Sequence, residues 1–249
     1  MLTNLSTFFA AASLLGKKLL VVGGRGAFNK VELVDLFAAD KTCPPLPDYP
    51  GAAVGSVGTY IDGMALVCGG ITKDRTAAIE KCHFYNQSSK SWELKVSMGA
   101  ARSVPAGAMM SNGQWWVTGG STISYDLAST EVFNGKEFSA YVDLPEKRKG
   151  HNLVQVNTTH FMLLGGYSPT SRVWMFDSST ELWTSKQDLL ESRSATQAGL
   201  VKYADGRRAV VVAGSYEIKS SEIFDLDSET WRAGPDLPVS AYLYGGAFL

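Results

Sequence analysis

The sequence offers a transition metal very little: three histidines and three cysteines in 249 residues. His83, His151 and His160 never pair at metal-ligand spacing, so no metal and no other cofactor is expected. Charge imbalance is missing too. A formal net charge of −1 leaves no electrostatic footprint for nucleic acid or anionic lipid. No window reaches the roughly 18–20 apolar residues that span a bilayer. Phosphate-cradling loops, nucleophile elbows and dinucleotide fingerprints are absent, and "GGRGAF" (23–28) reads as a hairpin turn. Proline is scarce at 9 residues against 25 glycines, and the 3.6-residue apolar period of a helix is almost absent, which favours short strands and many turns.

What is present is a repeat. A strand-like run ending in two small residues recurs as "LLVVGG" (19–24), "ALVCGG" (65–70), "WWVTGG" (115–120), "FMLLGG" (161–166) and "VVVAGS" (210–215). The last residues of these runs are 46, 50, 46 and 49 positions apart. A second marker keeps the same phase: Trp92, Phe138, Trp183 and Trp231 each stand five residues before an Asp or Ser, with Cys43 in that place in the first repeat. Each repeat reads as four strands, the first two joined by turn chemistry such as Asp62-Gly63, Asn112-Gly113 or Asp205-Gly206. One small four-stranded sheet cannot cover both of its faces. Radial packing of several such sheets can, and a period in the forties suits propeller blades.

The double glycine, a following Glu (Glu32, Glu80, Glu131, Glu222), an aromatic third strand and a Trp in the fourth resemble kelch repeats. The resemblance spans residues 18–249, with Arg172 in place of one Glu, Ser215 of one Gly and Cys43 of one Trp. It implies an all-β propeller of five four-stranded blades. Their expected bounds are 18–50 plus 240–249, 51–100, 101–147, 148–191 and 192–239. The apolar C-terminal "YLYGGAFL" (242–249) aligns with first strands, so it is expected to pair with residues 18–24 and close the ring. Residues 1–17 form a lead-in or a signal peptide, since "LSTFFAAASLLG" (5–16) is h-region-like but lacks a basic n-region. The expectation is a chain without the BTB domain of ubiquitin-ligase adaptors.

Cys68 and Cys82 fall on adjacent strands of one blade, within disulfide range, and three buried thiols are the alternative. Sequons at Asn4, Asn86 and Asn157 and a similarity to secreted invertebrate kelch-type proteins favour an extracellular location over a cytoplasmic one.

Loops on one face of the propeller gather Arg25, Asn29, Arg75, Tyr125, Tyr167 and Tyr216. Segments between blades add Arg102-Ser103, Lys149 and Arg193-Ser194. Arg and Tyr are the residues of interaction hot spots, and in kelch proteins such loops form the ligand face. The expected function is therefore a monomeric, non-enzymatic module that binds another protein or peptide, or a glycan if extracellular. The alternative is a secreted propeller enzyme of the galactose-oxidase type or a glycan-binding protein.

Overall fold

The computed structural model describes residues 11–15, 18–24, 28–35, 46–51, 53–167, 171–215 and 217–238. Among them there is no helix, and the strands form five antiparallel sheets. The first contains β1 (Ala11–Leu15), β2 (Lys18–Val22) and β3 (Val31–Asp35). The second runs through β4 (Val54–Ile61), β5 (Met64–Ile71), β6 (Lys81–Asn86) and β7 (Ser91–Ser97). The third comprises β8 (Ala106–Met109), β9 (Trp115–Thr118), β10 (Thr130–Phe133) and β11 (Phe138–Tyr141). The fourth holds β12 (Asn152–Gln155), β13 (His160–Leu164), β14 (Val173–Asp177) and β15 (Leu182–Ser185). The fifth holds β16 (Gln197–Lys202), β17 (Arg208–Ser215), β18 (Ile218–Asp225) and β19 (Thr230–Ala233). Asp62 and Gly63 both adopt positive φ (51° and 79°), the turn that joins β4 to β5 with the twist a hairpin requires.

First strands of successive sheets lie side by side, β1 by β4, β4 by β8, β8 by β12 and β12 by β16. The apolar cores sit between consecutive sheets. Leu20, Val22, Ala65, Val67 and Tyr85 join the first to the second. Leu66, Phe84, Trp115, Val117 and Phe133 join the second to the third. Because successive strand residues face opposite sides, Trp116 packs the other way, onto Phe161, Leu163 and Phe176 of the fourth. Met162, Leu164, Val210, Val212 and Phe224 complete the series. The second, third and fourth sheets thus bury both faces against their neighbours, which is the construction of a β-propeller. Outer-strand indoles stitch the blades: Trp92, Trp183 and Trp231 donate Nε1–H to the carbonyls of Pro47, Asp143 and Gln187 in the segment before each blade.

The expected ring closure is corrected at its first step. β2 lies between β1 and β3, so Ala11–Leu15, from the expected lead-in, holds the place assigned to the C-terminal strand. Only two residues separate β1 from β2, and closing so short a connection costs little entropy compared with pairing the chain's two ends. Residues 240–249 and Cys43 lie outside the described residues.

The glycine pairs set the blade-to-blade spacing. Gly23, Gly69, Gly119 and Gly165 have φ of 72°, 72°, 57° and 63°. A Cβ on Gly23 would lie 2.6 Å from the Ala53 carbonyl oxygen and one on Gly69 2.5 Å from that of Arg102, while Gly119 and Gly165 abut those of Arg148 and Arg193. The next glycine donates its N–H to the same carbonyl in three blades, Gly70 to Arg102, Gly120 to Arg148 and Gly166 to Arg193. Ala53, Arg102, Arg148 and Arg193 therefore occupy one repeated position, at the start of the second to fifth blades.

Candidate functional site: a cavity at a missing ion pair

At that repeated position Arg102 and Arg193 are each only 1% exposed. Arg102 donates to the Glu131 carboxylate through Nε (3.2 Å) and NH2 (2.8 Å), and its NH1 reaches the carbonyls of Gly119 and Ser129. Arg193 donates to Glu222 through Nε, its NH1 reaches the carbonyls of Gly214 and Ser220, and its NH2 turns to Glu191 and the Ser220 hydroxyl. Each carboxylate also accepts two backbone N–H groups, Gly99 and Ala100 on Glu131, Leu190 and Glu191 on Glu222. Charges so buried persist because every polar atom around them is matched.

Strand register identifies the carboxylate position in all five blades. The residues opposite the last position before each glycine pair are Val31, Cys82, Thr130, Val173 and Ser221. The next residue in each strand is Glu32, His83, Glu131, Trp174 and Glu222. This corrects two expectations: Glu80 is displaced by three residues from the repeat position, and Trp174, not Arg172, replaces the fourth Glu. In the fourth blade Arg148 compensates by pairing with Glu146 of its own segment, and Glu146 accepts from Trp174 as well.

The second blade lacks both partners, with Ala53 for the arginine and His83 for the glutamate. One backbone donor is lost too, since the counterparts of Gly99 and Ala100 are Pro50, which has no N–H, and Gly51. The result is a cavity of about 620 Å³, lined by residues that include Tyr49, Pro50, Gly51, Glu80, Lys81 and His83. Phe28, Asn29, Lys30, Thr72 and Lys73 extend it across the loops of the first and second blades.

Tyr49 forms one wall, its ring edge-on to His83 (5.1 Å) and to Trp92 (5.0 Å). Its hydroxyl lies 3.1 Å from His83 Nδ1 and 3.4 Å from the Val67 carbonyl, to which it donates. Burial raises the Tyr49 pKa well above the ordinary phenol range, so the phenol stays protonated. Burial, with the nearby Lys81 charge second, lowers the pKa of His83 and keeps its imidazole neutral at pH 7. Among the rim cations Lys30 is held by Asp48 at 2.7 Å. Lys73, 5.9 Å above the Phe28 ring, and the exposed Lys81 line the opening with no ion pair among the described residues. The cavity thus combines aromatic walls, a neutral imidazole–phenol pair and two ammonium groups, with Glu80 as a carboxylate in its lining.

Of the described residues expected on a loop face, only Asn29 lines this cavity. Arg102 and Arg193 are corrected to interior positions, where their ion pairs take them out of reach of any partner. Ser103 is buried and donates to the Ser121 carbonyl, and the Ser194 carbonyl accepts from Ser215. Lys149 pairs with Asp126 at 2.9 Å and sits 5.7 Å over the Tyr167 ring. Tyr125 is exposed, as is Arg75, which has a positive φ of 61°. Arg25 and Tyr216 lie outside the described residues. Cys68 and Cys82 form a disulfide across β5 and β6. Asn86 and Asn157 sit at turns, their Oδ1 atoms accepting from Ser88 and Thr159 backbone N–H. Sequence reasoning missed Tyr49, Lys73 and Lys81. The one signal for them was Ala53, where other repeats carry arginine.

The fold is that of a β-propeller, and a comparison of structures agrees. The structure titled "Structure of YjhT" superposes with a TM-score of 0.80 over 95% of this chain and 86% of that one, at 16% identity. No family model matches the sequence. Curated relatives are N-acetylneuraminate epimerases. That of Shigella boydii serotype 4 (strain Sb227) is 28% identical over 205 residues, 78% of this chain and 51% of that protein. Those of Shigella sonnei (strain Ss046) and Escherichia coli (strain K12) are 25% and 27% identical over the same shares. The chain spans about half the length of these relatives. Because they are named for an enzymatic activity on a sugar acid, they overturn the expectation of a non-enzymatic, protein-binding module. Among the described residues no helix is long and apolar enough to cross a membrane.

Proposed function

We propose that this chain is a kelch-type propeller enzyme acting on a sugar acid of the N-acetylneuraminate class, with the cavity between the first and second blades as its site. The observation that carries this reading is the pairing, within one cavity, of Lys73 and Lys81 with the Tyr49–His83 pair. A sugar acid presents a carboxylate, apolar ring faces and several hydroxyl donors. The two ammonium groups suit the first, Phe28 and Tyr49 the second, and Glu80 and Asn29 the polar substituents. Epimerisation takes a proton off the substrate and returns one after a stereocentre has inverted. A neutral imidazole held by a protonated phenol is a competent acceptor for that proton. The relatives' names support this reading over a galactose-oxidase-type one, and the Cys68–Cys82 disulfide is compatible with an extracellular setting.

The test is 1H NMR of N-acetylneuraminate epimers, following their approach to equilibrium with and without purified protein. Acceleration that falls at least tenfold in His83→Gln is expected. A rate equal to that in buffer would sink the reading.

A further inference from the structure

The second blade's cavity is a vacated carboxylate site, and its blueprint is repeated elsewhere in the same chain. In the third and fifth blades a carboxylate, from Glu131 or Glu222, fills this place and is gripped by two backbone N–H groups and a buried guanidinium. In the second blade the strand position carries His83 and the guanidinium position carries Ala53. The backbone course is nonetheless the same. Tyr49 N–H donates to the Asn29 carbonyl as Met98 N–H donates to that of Glu80, and Ala53 N–H donates to Phe28 as Arg102 N–H donates to Ile79. The scaffold that holds an internal carboxylate is therefore kept while its occupant is gone. What replaces the lost guanidinium charge is Lys81, two residues before His83 on β6, with Lys73 across the opening.

We propose that the ligand's own carboxylate takes the place of the missing repeat glutamate, seated against the Gly51 N–H and neutralised by Lys81 and Lys73. Glu80, three residues before His83 and just ahead of β6, repels an anion, so it fixes the ligand's orientation with the carboxylate toward the lysines. This deepens the reading of a sugar-acid site and rests on it for the choice of ligand, but carboxylate recognition is measurable without turnover. It also predicts a sequence logic. Restoring the arginine alone should help an anionic ligand, whereas restoring the glutamate with it should shut the site, because the protein would then supply its own carboxylate.

Binding is measured by isothermal titration with N-acetylneuraminate and with its methyl ester. For the wild type the ester is expected to bind at least tenfold more weakly, and Lys81→Met should erase most of that difference. Ala53→Arg is expected to tighten N-acetylneuraminate binding about tenfold through a bidentate guanidinium–carboxylate contact. Ala53→Arg combined with His83→Glu should abolish binding and raise the melting temperature. Equal affinity for acid and ester in the wild type overturns the carboxylate seat, needs no variant to fold, and leaves the sugar reading standing. Carboxylate-dependent binding without catalysis would keep the seat and remove the epimerase reading. No binding of either compound removes both.

Discussion

Arg102, at the start of the third blade, donates to Glu131 on that blade's third strand at 2.8 Å with both side chains buried. The bond ties the segment between two blades to the interior of the second of them. Removing one partner leaves a buried charge with nothing to neutralise it, which costs about 3–5 kcal/mol. Glu131→Gln or Arg102→Met should therefore lower the urea midpoint sharply. Because most of that loss is the stranded charge, Arg102→Met/Glu131→Leu should be less destabilised than the two single changes added together. Strict additivity would show that the pair is not coupled.

Gly69 meets the Arg102 carbonyl so closely that a Cβ would lie 2.5 Å from that oxygen, and its φ of 72° is unfavourable to any side chain. Strain and overlap act together, so Gly69→Ala should cost more than about 2 kcal/mol. Gly113, in an open turn with nothing near its Cβ direction, has only the φ penalty, and Gly113→Ala should cost about half as much or less. Chemical denaturation of the two variants side by side decides this. Similar losses would mean that the interblade contact relaxes.

The contrast between these glycines explains which parts of the fold were legible in the sequence. A glycine pair on a period near 47, with Ser215 its one departure, and an outer-strand aromatic in the second to fifth blades follow from sterics, so the residue types themselves advertise the architecture. The buried ion pairs were misread because loop surfaces are the usual home of arginine, and nothing local in "AARSV" (101–105) marks Arg102 as interior. The third-strand register was misread for a different reason. The connection from Gly70 to Cys82 is longer than in the other blades, so matching residue types selected Glu80, while the hydrogen-bonded ladder places Cys82 opposite Cys68 and hence His83 at the repeat position. The cavity was illegible because it arises from two absences, Ala53 and His83, that only the ladder aligns. The strand Ala11–Leu15 was hidden by its likeness to a signal-peptide core.

The Cys68–Cys82 disulfide closes a loop with a sequence separation of 14 and is fully buried. A loop of that length restricts the unfolded chain by about 3 kcal/mol. Reduction should lower stability by that order, and Cys68→Ala/Cys82→Ala should respond to reductant far less than the wild type. The measurement is a pair of urea melts with and without dithiothreitol. An unchanged wild-type midpoint under full reduction, verified by thiol titration, would exclude a stabilising role.

His151 supplies a pH signature that the exposed groups cannot. It is buried, its Nε2 lies 2.8 Å from Thr118 Oγ1, and its Nδ1 is buried without a hydrogen-bond partner among the described residues. Burial first, and the Arg148 charge second, push its pKa down from 6.5 to about 3. The folded protein therefore holds this imidazole neutral, while the unfolded chain protonates it below its ordinary pKa. More protons on the unfolded state mean that stability declines as pH falls from 6.5 toward 3, by about 1.4 kcal/mol per unit. Between pH 7 and pH 5 the loss from this residue alone is about 2 kcal/mol. His151→Gln should be less stable than the wild type at pH 7, since the ring packs beside Gly119, yet it should lose markedly less on acidification to pH 5. Urea melts of both proteins at the two pH values give the comparison, and parallel losses in wild type and variant would assign the acid sensitivity to other groups.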